Sequence, residues 1–308
     1  MDKVIAVVGP TGVGKTSLSI LIAKHLDTEI ISGDSIQVYK GLDIGSAKVT
    51  AEEMDGVKHH LIDIKELTDE YNVMEFQNVS REIMASLHQE KKIPVIAGGT
   101  GLYIKSALYD YVFKEQEDDT EFMKEHQQYT SEQLYAMLKE LDPKSCETIH
   151  MNNRKRVLRA LFMAKSGNVK SEIIDAQQHK PIYDAFIIGC TMDRAKLYER
   201  INLRVELMMN QGLFEEIQTL SKVEGIWNMQ GMQGIGYREW QQYFLGNQTK
   251  EEVIENIQKH SRQFAKRQYT WFNNQMNVHW YDMSLPNISE QILKDIDTWR
   301  NVSCGMNE

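Results

Sequence analysis

Short apolar runs alternate with stretches of helical periodicity over the first third of the chain, and one more run follows beyond its middle. The apolar runs are residues 3–8, 29–32, 93–97 and 185–189. Apolar residues recur at helical spacing between them, which predicts helices at about 16–25 and 74–90. Strands that alternate with helices in this way are typical of a parallel α/β sheet.

The strand pattern is interrupted between about residue 114 and residue 183. Apolar residues in this interval recur at helical spacing, as at Leu134 and Leu138. We interpret residues 114–183 as a helical insertion in an α/β core that is made of residues 1–113 and 184–308.

The chain is predicted to be helical again after residue 193. One apolar stripe runs along the first of these helices through Leu197, Ile201, Val205 and Met208. A long helix is predicted at about 250–273.

The first apolar run leads directly into the sequence GPTGVGKT, which fits the pattern GxxxxGK[ST] of phosphate-binding loops. The backbone N–H groups of such a loop surround an anion at the start of a helix, and its glycines allow the tight turn. Lys15 adds a positive charge, and the Thr16 hydroxyl is a candidate Mg²⁺ ligand. The alternative is an ordinary glycine-rich connection. The candidate phosphate ligands are Gly9, Pro10, Thr11, Gly12, Val13, Gly14, Lys15 and Thr16.

Two further polar residues fall at the carboxyl ends of predicted strands, where ligands bind in sheets of this kind. Asp34 could serve as a magnesium partner or a general base, and the alternative is an aspartate that caps a helix or turn. Thr100 lies among glycines in GGTGLY. Its hydroxyl could contact a phosphate or a leaving oxygen, or it could cap a helix.

Three arginines follow the fourth predicted strand. Arg194, Arg200 and Arg204 could neutralise a departing diphosphate. The alternative is that they form surface salt bridges with Glu199 and Glu206.

Neither a metal framework nor a disulfide framework is indicated. His59 and His60 point to opposite faces of an extended segment, which favours a structural pair over a zinc site. Cys146, Cys190 and Cys304 are scattered, as expected in a reducing cytoplasm. The chain has no apolar run of about 20 residues and no room for a signal peptide before its first strand. We therefore expect a cytoplasmic protein that is independent of membranes.

The charges are unevenly distributed along a chain whose formal net charge is −9. Residues 115–125 are mostly acidic, whereas residues 152–170 carry six basic side chains and no Asp or Glu. Local patches decide nucleic-acid binding, so the basic segment predicts contact with a phosphate backbone; a solvated helix face is the alternative. The long helix near the C-terminus adds Lys266 and Arg267 among aromatic residues, a mixture that suits stacking on unpaired bases, although those aromatics could also be core residues.

Several motifs occur in one order, namely GPTGVGKT, SGDSIQVYKGLDIGSAK, HHLID, GGTGLYI, NRKRVLRAL, DRAKLYERINLRVELMMNQGLFEE, GIGYREW and QFAKRQYTWF. In this order and spacing the chain resembles the bacterial tRNA dimethylallyltransferases, also called tRNA isopentenyl transferases, over about residues 3–275. Ser46 stands where that family commonly has Thr, and the hydroxyl group is kept.

The resemblance implies an α/β fold with a P-loop-type parallel sheet flanked by helices. It implies transfer of a dimethylallyl group from dimethylallyl diphosphate to the exocyclic amine of the tRNA adenosine just 3′ of the anticodon, with release of pyrophosphate. The loop, Mg²⁺ and the three arginines would hold the diphosphate. Asp34 would act as the general base, and Thr100 would contact the bridging oxygen. The implied tRNA-binding residues are Asp34, Ser35, Ile36, Gln37, Thr100, Asn153, Arg154, Lys155, Arg156, Val157, Lys266 and Arg267.

Two other classes of protein share parts of this pattern. A small-molecule kinase or NTPase would use the same loop, but it needs an acidic residue at the end of an apolar strand and usually an arginine on a lid. Asp34 fits the acidic position only loosely, and the strand at 93–97 ends in glycines. In a non-catalytic tRNA-binding protein we expect some of Lys15, Thr16, Asp34 and Thr100 to have been lost, and all four are present. The sequence does not specify the oligomeric state, and we take a monomer as the default expectation.

Overall fold

The computed structural model describes residues 1–113, 119–167 and 180–302. The chain divides into two compact units. One consists of Met1–Leu108 with Pro181–Glu308, and the other is Tyr109–Lys180. No helix within the described residues is both long enough and apolar enough to cross a bilayer.

Six parallel strands form the central sheet of the first unit. They are β1 Lys3–Val8, β2 Ile30–Ser32, β3 His59–His60, β4 Val95–Gly98, β5 Asp184–Thr191 and β6 His279–Asp282. Their order in the sheet is β3-β2-β4-β1-β5-β6, and all neighbouring pairs are parallel. The predicted α/β class is confirmed.

Helices flank this sheet and also build the second unit. In the described residues they are α1 Lys15–Leu26, α2 Ala51–Met54, α3 Val73–Gln89, α4 Gly101–Leu108, α5 Thr120–Glu125, α6 Ser131–Leu141, α7 Ser145–Thr148, α8 Arg154–Lys165, α9 Arg194–Asn210, α10 Leu213–Leu220, α11 Gln241–Phe244, α12 Lys250–Gln275 and α13 Ile288–Asn301. Three 3-10 turns lie at Ile226–Asn228, Gly231–Gln233 and Arg238–Trp240.

The apolar runs of the sequence form the buried strands at the centre of the sheet. Val4 to Val8 of β1 have no exposed surface, because β1 lies between β4 and β5 and helices cover the sheet. Leu18 and Ile22 of α1 and Ile201 of α9 belong to the same apolar core. A parallel strand covered in this way must be apolar on consecutive residues, which is the pattern found in the sequence.

The two edge strands were not predicted. β3 has only two residues, both of them half-buried histidines, and β6 is the half-exposed sequence HWYD. Edge strands that keep polar residues lack the apolar run by which the inner strands are recognised. The helix α13 after β6 was also not predicted, and it contributes Ile292 and Ile296 to the core.

The second unit has an apolar core of its own. Leu134 and Leu138 of α6 pack with Val157 and Leu161 of α8, and all four side chains are fully buried. Near the ends of this unit the Asp110 amide donates a hydrogen bond to the Lys180 carbonyl at 3.0 Å.

A backbone hydrogen bond also joins the two points of the first unit at which the chain leaves it and returns to it. The amide of Ile182 donates a hydrogen bond to the carbonyl of Leu108 at 3.0 Å. The two boundaries between the units, at 108/109 and 180/181, therefore lie close to the ends of the insertion proposed from sequence at 114–183.

Candidate active site

The loop between β1 and α1 depends on glycine at three positions. Gly9 has a φ of 143°, and a Cβ there would lie 2.5 Å from the carbonyl oxygen of Cys190 in β5. Gly12 and Gly14 have φ values of 80° and 105°, in the left-handed region. The loop therefore turns tightly and presents the N-terminus of α1 at the carboxyl end of the sheet.

Lys15 is half-buried at the first position of α1. Its Nζ donates a hydrogen bond to the carbonyl oxygen of Pro10 at 2.8 Å. Burial lowers the pKa of Lys15 to about 8; the charge of Arg204 lowers it further, while Cys190 and Asp34 oppose the shift. An ammonium group with a depressed pKa is a strong ligand for an anion that can replace its lost hydration.

Thr16 is exposed on the first turn of α1. Within the described part of the chain, its hydroxyl oxygen takes part in no side-chain hydrogen bond, so this oxygen is available to a ligand. Hydroxyl oxygens suit Mg²⁺, which usually completes its coordination with water and substrate phosphates.

Asp34 follows β2 and forms a turn with the residues after it. Its Oδ1 accepts hydrogen bonds from the amides of Ile36 at 2.8 Å and Gln37 at 3.2 Å. The turn role considered from sequence is therefore present. It engages only one carboxylate oxygen, and Oδ2 has no partner among the described residues. A turn role and a role as a proton acceptor are compatible here.

The segment that carries Thr100 lies directly beside the segment that carries Asp34. The Gly33 amide donates to the carbonyl of Ala97 at 2.8 Å, and the Thr100 amide donates to the carbonyl of Gly33 at 3.2 Å. A Cβ on Gly98 would lie 2.3 Å from the Gly33 oxygen, so this approach requires glycine. In the described residues, the Thr100 hydroxyl makes no hydrogen bond, and the helix cap considered as the alternative from sequence is not observed.

Gln268 of α12 joins the loop of residues 9–16 to the segment before Thr100. Its Oε1 accepts from the amide of Thr11 at 2.8 Å, and its Nε2 donates to the carbonyl of Gly99 at 3.0 Å. The residue is 6% exposed. It was missed in the sequence analysis, although a glutamine on the buried stripe with Ala265 and Phe272 is a signal that could have found it.

The three arginines of α9 have different surroundings. Arg204 is half-buried, and its Nη1 donates to the Thr11 hydroxyl at 3.1 Å. Burial lowers the pKa of Arg204, and the charge of Asp34 opposes that shift. Arg194 is exposed and contacts Tyr198, while Arg200 is exposed on the helix. Between the three arginines and the carboxylates of the described residues there is no ion pair, so the surface salt bridges considered from sequence are not observed.

Most of these groups line one cavity of about 460 Å³. The sequence-predicted residues that line it are Thr11, Asp34, Ser35, Ile36, Thr100, Arg204 and Arg267. Part of its wall is apolar and comes from Ile36, Ile201, Val205, Met208, Ile257 and Phe264. Polar groups that converge beside an apolar wall are typical of a small-molecule site.

Other predicted residues lie outside the lining of this cavity. Lys15, Thr16 and Gln37 are not among its lining residues, and Gln37 uses its side-chain amide to donate to the carbonyls of Ser46 and Ala47. Lys266 is exposed on α12.

One stretch of the cavity wall was not predicted as part of the site. Gln230, Gln233, Gly234, Ile235, Gly236 and Arg238 all line the cavity. Glu239 holds this stretch in place, because it accepts hydrogen bonds from the Gly236 amide at 2.9 Å and from Arg238 Nε at 3.1 Å. The motif GIGYREW, which contributed only to the resemblance, is thus part of the wall.

In the second unit, some side chains of the basic segment at the start of α8 make internal hydrogen bonds, whereas others are exposed. Asn153 caps the helix by accepting from the Arg156 amide, and the Arg154 guanidinium donates to the carbonyl of Tyr129 at 2.6 Å. Lys155 and Arg156 are exposed. Val157 has no exposed surface, so its side chain belongs to the core and the prediction that it contacts tRNA needs correction. Lys170 of the same segment lies outside the described residues.

The two histidines considered as a metal pair form β3. His60 Nε2 lies 2.5 Å from Glu29 Oε2, and His59 Nδ1 lies 2.9 Å from the carbonyl oxygen of Val57. Both contacts are structural, as favoured from sequence.

Comparison with known proteins gives consistent results. A family model described as "IPP transferase" matches residues 37–275. A tRNA dimethylallyltransferase of Bacillus licheniformis is 46% identical over 301 residues, which is 96% of each chain. A crystal structure of a tRNA delta(2)-isopentenylpyrophosphate transferase from Staphylococcus epidermidis is 43% identical with a TM-score of 0.72, and the match covers 97% of this chain and 99% of that one. A eukaryotic dimethylallyltransferase described as acting on tRNA is 25% identical with a TM-score of 0.83, covering 97% of this chain and 80% of that one.

Proposed function

The chain belongs to the IPP transferase family, and we propose that it transfers a dimethylallyl group from dimethylallyl diphosphate to an adenosine in tRNA. The acceptor is the exocyclic amine of the adenosine 3′-adjacent to the anticodon. The observation that carries the proposal is the convergence of Asp34, Thr100 and Arg204 in one cavity that also has an apolar wall. This wall suits a branched hydrocarbon group, and the polar residues suit an amine nucleophile and a diphosphate leaving group.

The reaction is a substitution at the allylic carbon. The lone pair of the adenine amine forms the new N–C bond while the bond from that carbon to the diphosphate oxygen breaks, and its electron pair leaves with pyrophosphate. One proton of the amine passes to a base. Because this lone pair is delocalised into the adenine ring, the amine is a weak nucleophile and benefits from a base positioned to take the proton.

Asp34 is the base in this scheme. Its Oδ1 is held by two backbone amides, which fixes the carboxylate and leaves Oδ2 to accept the proton. Thr100, whose hydroxyl has no partner in the described residues, donates to the bridging oxygen as that oxygen gains charge. The adenine must leave the anticodon-loop stack to reach this cavity.

The diphosphate is held by the loop of residues 9–16. The amides at the start of α1, the ammonium of Lys15 and the guanidinium of Arg204 stabilise the negative charge that develops on the leaving group. Arg204 is fixed for this task by its hydrogen bond to Thr11. Arg194 and Arg200 are exposed, lie closer than Arg204 to the start of α9, and would act through longer-range attraction.

Mg²⁺ fits this site as a partner of the diphosphate. No group of three or more His, Cys, Asp or Glu side chains in the described residues could hold a metal ion without substrate. The exposed Thr16 hydroxyl would supply one oxygen ligand, and phosphate oxygens and water would supply the others. When bound, the ion would neutralise charge on the leaving pyrophosphate.

The exposed basic residues of α8 are proposed to bind the tRNA backbone. Lys155 and Arg156 carry no opposing carboxylate on their helix turn and are free of hydrogen bonds to the described residues through their charged groups. Lys266 and Arg267 of α12 would provide further contacts with the tRNA. We further propose that the protein works as a monomer in the cytoplasm.

A kinase or NTPase reaction is not favoured. The strand β4 ends at Gly98 and is followed by another glycine, so the acidic residue expected at such a strand end is missing. The relatives that match over nearly the whole chain carry the name of a transferase that acts on tRNA.

The test is an incubation of the purified protein with tRNA and radiolabelled dimethylallyl diphosphate in the absence of ATP. We expect the label to appear in tRNA, and nuclease digestion followed by mass spectrometry should locate isopentenyladenosine next to the anticodon. A tRNA in which guanosine replaces that adenosine is the control. If label transfer requires ATP, or if inorganic phosphate is the product, the proposed function is wrong.

A further inference from the structure

The carboxylate of Glu216 in α10 accepts four hydrogen bonds from two separate segments of the chain. Three come from the consecutive backbone amides of Asp43 at 3.2 Å, Ile44 at 2.8 Å and Gly45 at 3.2 Å. The fourth comes from the hydroxyl of Tyr237 at 2.8 Å. Successive amides that point to one place form a concave anion site, and here a carboxylate of the protein itself fills it.

Tyr237 holds the same loop from the other side. Its side chain is fully buried, and its hydroxyl oxygen accepts a hydrogen bond from the Ser46 amide at 3.1 Å. A Cβ on Gly45 would lie 2.6 Å from the Tyr237 ring, and a Cβ on Gly236 would lie 2.7 Å from the Gly45 oxygen. The two segments therefore touch through backbone and ring, with no space for an additional atom.

Both segments line the cavity, but Glu216 does not. Gly45 and Ser46 form one part of the wall, and Gly236 forms the part next to it. Glu216 lies behind this wall on a different helix. Its effect on a substrate must therefore be indirect.

The loop that Glu216 holds is also connected to Asp34. The side-chain amide of Gln37 donates to the carbonyls of Ser46 at 3.4 Å and Ala47 at 3.1 Å. The backbone amide of Gln37 donates to Asp34 Oδ1 at 3.2 Å. A displacement of the loop would thus be passed to the turn that orients the Asp34 carboxylate.

We propose that Glu216 is a positioning residue for the transfer reaction, which sets the place of the cavity wall at Gly45–Ser46 and, through Gln37, the orientation of Asp34. This inference rests on the proposed function, because the transfer rate is the quantity that Glu216 would control. Glu216 itself touches no substrate. Its role is to fix the geometry in which the base meets the amine, and small displacements of reacting groups have large effects on rate.

Glu216→Gln tests this role with little change of shape. The amide keeps one oxygen as an acceptor but places an NH₂ group where the other carboxylate oxygen accepted two hydrogen bonds. Glu215→Gln is the matched control: Glu215 is the adjacent residue of α10, it is exposed, and in the described residues its carboxylate makes no hydrogen bond. Both variants remove one negative charge from the same helix.

We expect the single-turnover rate at saturating tRNA and dimethylallyl diphosphate to fall by roughly tenfold to a hundredfold in Glu216→Gln. The Kd for tRNA should stay within about twofold of the wild type, because the basic residues proposed to hold the tRNA backbone are not altered. Glu215→Gln should match the wild type in both quantities. Rates are compared per folded molecule, from the fraction that retains native circular dichroism.

Amide hydrogen exchange gives a readout that does not depend on activity. In the substrate-free protein, the amides of Asp43, Ile44 and Gly45 should exchange faster in Glu216→Gln than in the wild type or in Glu215→Gln. If Glu216→Gln fails to fold, Tyr237→Phe removes one of the four donors and is measured in the same way.

The outcomes separate the two proposals. An unchanged single-turnover rate in a folded Glu216→Gln protein, even with a lowered Tm, overturns the positioning role and leaves the proposed function intact. Faster exchange together with a reduced rate supports the inference. Absence of transfer by the wild-type protein overturns the proposed function, and the inference with it.

Discussion

The buried side chain of Gln268 accepts a hydrogen bond from the backbone amide of Thr11, 257 positions earlier in the chain. Through its other end, which donates to Gly99, it fixes the distance between the loop of residues 9–16 and the segment that carries Thr100. These are the two places where the proposed mechanism needs donors for one diphosphate group.

Gln268→Met should destabilise the protein and slow the reaction. The substitution keeps most of the volume but leaves the half-buried Thr11 amide and the buried Gly99 carbonyl without these partners. The free energy of unfolding should fall by up to about 3 kcal/mol for each lost partner. Urea titration followed by circular dichroism measures the loss. Gln263→Met, on an exposed position of the same helix, is the control and should leave stability unchanged. Equal stability of the two variants would show that the bridge is unimportant.

Asp34→Asn separates the turn from proton transfer. The asparagine side-chain oxygen can still accept from the amides of Ile36 and Gln37, so the turn should persist. The amide is not a base, and the transfer rate should fall by about a hundredfold or more. Filter binding should show an unchanged Kd for tRNA. Near-normal turnover would exclude Asp34 as the base.

Binding of dimethylallyl diphosphate should weaken as the pH rises through about 8. The pKa of Lys15 is lowered to about 8 in the ligand-free protein, so the ammonium loses its proton above this value and loses its attraction for the diphosphate. Because the bound anion favours the charged form, the affinity should decrease by at most about tenfold for each pH unit above that point. Calorimetric titrations at several pH values measure the slope.

Lys15→Met serves as the control for this pH dependence. It should bind more weakly than the wild type at about pH 7 and should show a flat profile through the same range, since the titrating group is gone. A slope that persists in Lys15→Met would assign the titration to another group.

Arg156→Ala should weaken tRNA binding and reduce its salt dependence. Each lost phosphate contact lowers the slope of log K against log salt by about 0.7–0.9. Stability should be little affected, because the Arg156 side chain is exposed. In contrast, Arg154→Ala should lower stability, because its guanidinium donates to the carbonyls of Tyr129 and His126. An unchanged slope in Arg156→Ala would place the tRNA elsewhere.

The parts of the site that sequence could predict are local. The loop at 9–16 is recognised from eight consecutive residues, and Asp34 and Thr100 follow strands whose carboxyl ends meet at one edge of a parallel sheet. No tertiary information is needed for these inferences.

The parts that could not be predicted depend on partners far along the chain. Glu216 acts on a loop some 170 residues earlier, and nothing in the sequence around it distinguishes it from Glu215. Similarly, Arg204 differs from Arg200 in its burial, its place in the cavity wall and its contact with Thr11, and all three depend on packing. The helical periodicity indicates which residues are buried, whereas the polar partner of a half-buried residue is decided by packing.

The pairing of Ile182 with Leu108 has a consequence for the history and the engineering of the molecule. A backbone hydrogen bond joins the residue at which the chain leaves the core to the residue near which it returns. A linker of a few residues could therefore replace the whole segment between them without straining the core. Segments that are joined in this way can be gained, lost or exchanged as a unit during evolution. A grafted insertion from a relative would therefore leave the fold of the first unit undisturbed.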